Sequence, residues 1–96
     1  MTTRVRASHL LVKTEAEAKE LRQKILNGEL KFEDAAAMVS LCPSGAQGGD
    51  LGFFGKGQMV KPFEDACFSM ELNEISEPIE TQFGWHLIKL TDTKEG

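Results

Sequence analysis

What this sequence has little of narrows it before any motif is read. Two cysteines in 96 residues are too few for the disulfide framework that holds small secreted domains together. No apolar run approaches the ~18–20 positions of a membrane-spanning helix, and no signal-peptide pattern opens the chain. Basic residues are in the minority: 11 Lys and Arg against 15 Asp and Glu, a net charge of −4. A nucleic-acid platform needs a basic face to neutralise phosphates, so neither nucleic acid nor membrane is an expected partner. Internal repeats and linker-like stretches are missing as well. What is present is the composition of a globular domain, 41% hydrophobic and 27% charged. The expectation is one small α+β domain over residues 1–96, cytoplasmic and monomeric. Charge is uneven: residues 1–48 carry seven Lys and Arg and six Asp and Glu, whereas residues 49–96 carry four and nine.

The first forty residues read as a strand and two helices. Residues 5–13 are β-branched and apolar without a breaker, which predicts a mostly buried strand. Thr14 followed by Glu17 matches a capping box, and the helix it opens is expected to run to about Asn27. Ala18, Leu21 and Ile25 form its apolar stripe, Glu15–Lys19 and Glu20–Lys24 its flanking ion pairs, and Gly28 its left-handed stop. Phe32, Ala35, Ala36 and Val39 predict a second, shorter helix. After Cys42 the texture changes. Residues 45–57 hold six of the nine glycines and residues 53–83 five of the six phenylalanines, a pairing of tight turns with aromatic packing. Pro62 suits the first turn of a short helix carrying Phe63, Ala66, Cys67 and Phe68. Asn73-Glu74 reads as a turn and Pro78-Ile79 as an edge strand. In the last strand, residues 85–90, His86, Ile88 and Leu90 share one face. The element order predicts one mixed sheet packed with helices.

Several motifs fail on their spacing. Gly52-Phe53-Phe54-Gly55-Lys56-Gly57 has neither the gap nor the hydroxyl residue of a phosphate-binding loop, and Gly55-x-Gly57 lacks the third glycine of a dinucleotide fingerprint. His9, Cys42, Cys67 and His86 are zinc-competent, but with no close pair among them no metal and no cofactor are expected. The histidines say more. Each lies in a strongly apolar strand, and a buried neutral imidazole demands partners for both nitrogens; Thr81 and Cys42 are the candidates. Leu51, Met59, Phe63 and Phe83 serve equally as ordinary core or as a shallow apolar cup.

Four blocks then resemble one family in the right order. They are Ser8-His9-Leu10-Leu11-Val12-Lys13, Gly48-Gly49-Asp50-Leu51-Gly52-Phe53-Phe54, Gly57-Gln58-Met59-Val60-Lys61-Pro62-Phe63-Glu64 and Thr81-Gln82-Phe83-Gly84-Trp85-His86-Leu87-Ile88. Together, across residues 4–91, they are similar to the parvulin-type (PpiC-type) peptidyl-prolyl cis/trans isomerases. The resemblance implies a four-stranded, twisted, largely antiparallel sheet surrounded by helices, of the FKBP-like superfold. It implies paired core histidines at His9 and His86, a network hydroxyl at Thr81, and Cys42 where relatives carry cysteine or aspartate. Leu51, Met59 and Phe63 match the pocket for the substrate proline ring. Gln58 lies beside it, and Phe83 adds apolar wall. The partners implied are proline-containing segments of client proteins.

Rotation about an X–Pro bond breaks no covalent bond, so it needs no nucleophile and no cofactor. Cys42 beside two histidines suggests a thiol-hydrolase dyad, but aspartate at that place in relatives favours a polar tuning role. Both histidines are expected to be neutral at pH 7. Lys13 leads directly into the acidic Thr14-Glu15-Ala16-Glu17, where a phosphate would meet two carboxylates and one lysine. An unphosphorylated, apolar or uncharged residue before proline is therefore the expected preference. The alternative is a peptide-binding or chaperone module with the same fold and little catalysis.

Overall fold

The spine of the molecule is β1 (Thr2–Val12), an uninterrupted eleven-residue strand. The computed structural model describes residues 2–95; Met1 and Gly96 lie outside the described residues. One edge of β1 pairs with β2 (Asp50–Gly55) and the other with β4 (Gly84–Glu95), and the short β3 (Ile79–Thr81) pairs with β4 in turn. The sheet order is β2-β1-β4-β3 and every pairing is antiparallel. This corrects the mixed sheet expected from element order. Two helices, α1 (Glu15–Leu26) and α2 (Phe32–Val39), follow β1. The chain then returns along β1 in the opposite direction, with Asp50 opposite Ser8 and Gly55 opposite Arg4.

Local signals explain the helix limits. The Thr14 hydroxyl accepts the Glu17 N–H at 3.2 Å, and Gly28 ends α1 at φ +79°, a conformation that costs other L-residues energy. The ion pairs Glu15–Lys19 and Glu20–Lys24 form at 3.8 and 3.5 Å. A 3-10 turn, Pro43–Gln47, leads into β2, and α3 (Lys61–Ser69) carries Pro62 in its first turn. The last strand is longer than residues 85–90, because β1 supplies a partner as far as Glu95.

Alternation along β1 and β4 splits the apolar residues between two cores. On one face Leu10, Val12 and Leu87 pack with Ala18, Phe32, Ala35, Ala36 and Ile75 beneath α1 and α2. On the other, Val5, Ala7, Ile88 and Leu90 pack with Phe54, Phe63 and Cys67 of α3 and β2. Burial pushes the Cys67 thiol up to about 12, so it acts as a small apolar filler.

Candidate active site

The face of the sheet covered by α3 also holds His9 and Leu11 on β1 and His86 on β4, in register with Leu11. A cleft of about 480 Å³ opens over them. It is lined by His9, Leu11, Leu41, Cys42, Leu51, Gln58, Met59, Val60, Phe63, Phe83 and His86. Of the nine residues singled out in the sequence, all but Thr81 line it. Thr81 stands behind the wall, its Oγ1 2.8 Å from Nε2 of His86.

The two imidazoles form the polar floor. Their Nδ1 atoms are 3.1 Å apart and the rings are nearly parallel, inclined by 19°. Two N–H groups cannot point at one another over that distance, so one proton lies between the two Nδ1 atoms. Burial, with repulsion from His86 second, lowers His9 to about 4, and burial lowers His86 as well. Both are therefore neutral at pH 7. The Phe63 ring meets each imidazole edge-on, at centroid distances of 5.4 and 5.6 Å. Phe63 thus belongs both to the core and to the cleft wall.

Backbone contacts hold this constellation in place. The His9 N–H donates to the Gly49 carbonyl at 2.9 Å. Gly49 has φ +84°, and a Cβ there would lie 2.1 Å from the His9 carbonyl oxygen, so only glycine fits beside the histidine. The Ser40 hydroxyl accepts the Leu11 N–H at 3.1 Å and the Cys42 N–H at 3.3 Å, which turns Cys42 toward the cleft. Between β2 and α3, Gln58 Oε1 accepts the Gly55 N–H at 2.7 Å, and buried Glu64 accepts the Gly57 N–H. These two bonds fix the loop that presents Met59.

Leu11, Leu41 and Val60 join the cleft although the sequence alone gave them no role in the site. Leu11 was recoverable, since it lies two residues from His9 on a strand and shares its face. Leu41 and Val60 follow helix and loop ends where no periodicity applies. Ser40 and Glu64 were missed for a related reason: their roles rest on contacts with backbone N–H groups in other segments.

Comparison with known proteins finds relatives across most of this chain. The model of the rotamase family, the PPIC-type PPIase domain, matches residues 6–92. Foldase protein PrsA 1 of Bacillus cereus is 48% identical over 92 residues, covering 95% of this chain and 32% of the foldase. Peptidyl-prolyl cis-trans isomerase Pin1 of Malus domestica is 49% identical over 76 residues, 79% of this chain and 63% of that protein. The solution structure of NmPin, the parvuline of Nitrosopumilus maritimus, superposes with a TM-score of 0.85 at 41% identity, covering 95% of this chain and 98% of the other. This chain spans about a third of the length of the Bacillus cereus foldase. By family model, sequence and fold, the chain belongs to the PPIC-type peptidyl-prolyl isomerases, the parvulins.

Proposed function

We propose that this domain accelerates rotation about X–Pro bonds in polypeptide clients without covalent chemistry, and that it prefers an unphosphorylated, apolar or uncharged residue before proline. The observation that carries the reading is an apolar cleft floored by a neutral, hydrogen-bonded imidazole pair. A planar amide owes its ~20 kcal/mol rotation barrier to resonance that places negative charge on the carbonyl oxygen. Twisting removes that charge separation. An apolar, water-poor cup destabilises the planar amide relative to the twisted one, and so lowers the barrier. Leu51, Met59 and Phe63 take the proline ring, with Gln58 beside them and Phe83 as outer wall. His9, Cys42, Thr81 and His86 form the polar network behind, in which Cys42 tunes polarity and does not attack the carbonyl. The substrate preference is supported by charge. Among the described residues lining the cleft there is no lysine or arginine, while Lys61 faces Asp65 at 3.1 Å and Lys56 lies over the Phe68 ring.

A protease-coupled assay on X–Pro tetrapeptides tests this reading. The expected result is relaxation well faster than the uncatalysed process of tens of seconds. No acceleration would leave the peptide-binding module. Phosphoserine before proline should slow turnover relative to alanine; faster turnover would overturn the preference.

A further inference from the structure

Strand β2 breaks register where it passes the cleft. Phe53 lies opposite Arg6 and Asp50 opposite Ser8, so Leu51 and Gly52 together face Ala7. That is a β-bulge, one extra residue in β2. Its effect shows in the side chains. In a regular strand, residues three apart point to opposite faces. Leu51 nevertheless packs with Phe54 on the α3 face and lines the cleft. Asp50 is left on the opposite face, where Arg6 alternates with Val5 and Ala7. There the bulge is tied down. Arg6 Nε and Nη2 donate to Asp50 Oδ1 and Oδ2 at 3.2 and 2.5 Å, and Oδ1 also accepts the Gly52 N–H at 3.0 Å. Gly52 has φ +71°, a left-handed conformation that glycine adopts without strain. Arg6 is itself anchored. On its other side β4 has an extra residue, Thr91, whose hydroxyl donates to the Arg6 carbonyl at 3.0 Å.

We propose that Asp50, held by Arg6, is a positioning residue: from the back of the sheet it pins the bulge that turns Leu51 into the proline cup. The proposal rests on the isomerase reading and deepens it. A stability role does not account for the pair, because its side chains are 46% and 33% exposed and solvent screens such contacts. Its geometry does more. A two-point guanidinium–carboxylate contact fixes direction as well as distance, and one of the oxygens it fixes is the acceptor for the Gly52 N–H. Without that oxygen the extra residue is released and β2 is free to slip. A slip of one residue carries Leu51 to the other face of the sheet, away from a proline ring packed on Met59 and Phe63.

The test measures KM and kcat on an X–Pro tetrapeptide for single and paired variants, with the folded fraction of each taken from urea unfolding. Asp50→Ala should raise KM about tenfold while kcat per folded molecule changes less than about twofold, the pattern of binding lost equally from ground and transition states. Asp50→Asn keeps an oxygen for the Gly52 N–H and should bring KM back to within about threefold of the parent. Arg6→Gln leaves Asp50 in place and should raise KM about threefold; it carries the same comparison if Asp50→Ala does not fold. Coupling decides the matter. In a Leu51→Ala background, Asp50→Ala and Arg6→Gln should each alter kcat/KM by less than about twofold, since the side chain they position is gone. Losses as large with Leu51→Ala as without it overturn the proposal, as does a KM unchanged from the parent in both Asp50→Ala and Arg6→Gln. Either result leaves the isomerase reading standing. A parent that accelerates no peptide overturns both.

Discussion

The two faces of the sheet are built from alternate residues of the same strands, yet they end differently. On the α1–α2 face, Leu10, Val12 and Leu87 meet two helices and pack into an apolar cluster. On the α3 face, a single nine-residue helix covers Val5, Ala7, Ile88 and Leu90. Beside that cover the strands present His9, Leu11 and His86 to an open cleft. One face is closed and serves stability. The other is left partly uncovered, and the side chains there are imidazoles able to satisfy one another. The lesson is that the site is a core with part of its cover missing, so stability and activity should separate by face.

Substitutions that break this separation rank by size. Phe32→Ala removes the largest fully buried side chain of the closed face and should cost about 3–5 kcal/mol in urea unfolding. The turnover per folded molecule should be unaltered; a large loss there would mean the faces are not independent. Next comes pH. The unfolded chain takes up a proton near pH 6.5 that His9, lowered to about 4, refuses in the folded state. That contribution is complete above pH 6.5 and is lost as pH falls toward 4, roughly 3 kcal/mol in all. Lowered Asp50, held by Arg6, adds its own loss only below its ordinary value of 3.8, so the histidine window is clear of it. Urea unfolding at pH 7.5, 5.5 and 4.5 reads the slope, and a flat profile would contradict the neutral pair. Met59→Ala, on the open face, should lower kcat/KM about tenfold, near 1.4 kcal/mol, with a smaller change in the unfolding midpoint than Phe32→Ala. Smallest of all, Cys42→Asp should keep kcat/KM within about threefold, under 1 kcal/mol. A variant as inactive as a pocket deletion would revive the thiol as nucleophile.

Much of the fold was legible in the residues themselves. The Thr14 cap, the Gly28 stop, Pro62 in the first turn of α3 and the edge strand after Pro78 all depend on neighbours close in sequence. The histidines were noticeable because each interrupts an apolar strand. The antiparallel course of β2 was not legible, since it depends on where the chain returns along β1. Nor was the 3.1 Å Nδ1–Nδ1 contact, which joins residues 77 positions apart. Leu51, Met59, Phe63 and Phe83 were equally consistent with core and cup. In the structure Phe63 is both, whereas Phe83 is largely exposed on the rim.

By itself, then, the sequence determined the helices, the turns, the apolar faces of the strands and the family blocks, because each is written in spacings of a few residues. Only the tertiary structure decided which apolar residues line a cleft and which fill a core. That depends on how far one short helix covers a sheet and where two distant imidazoles meet, and those are distances between segments, which no local pattern contains.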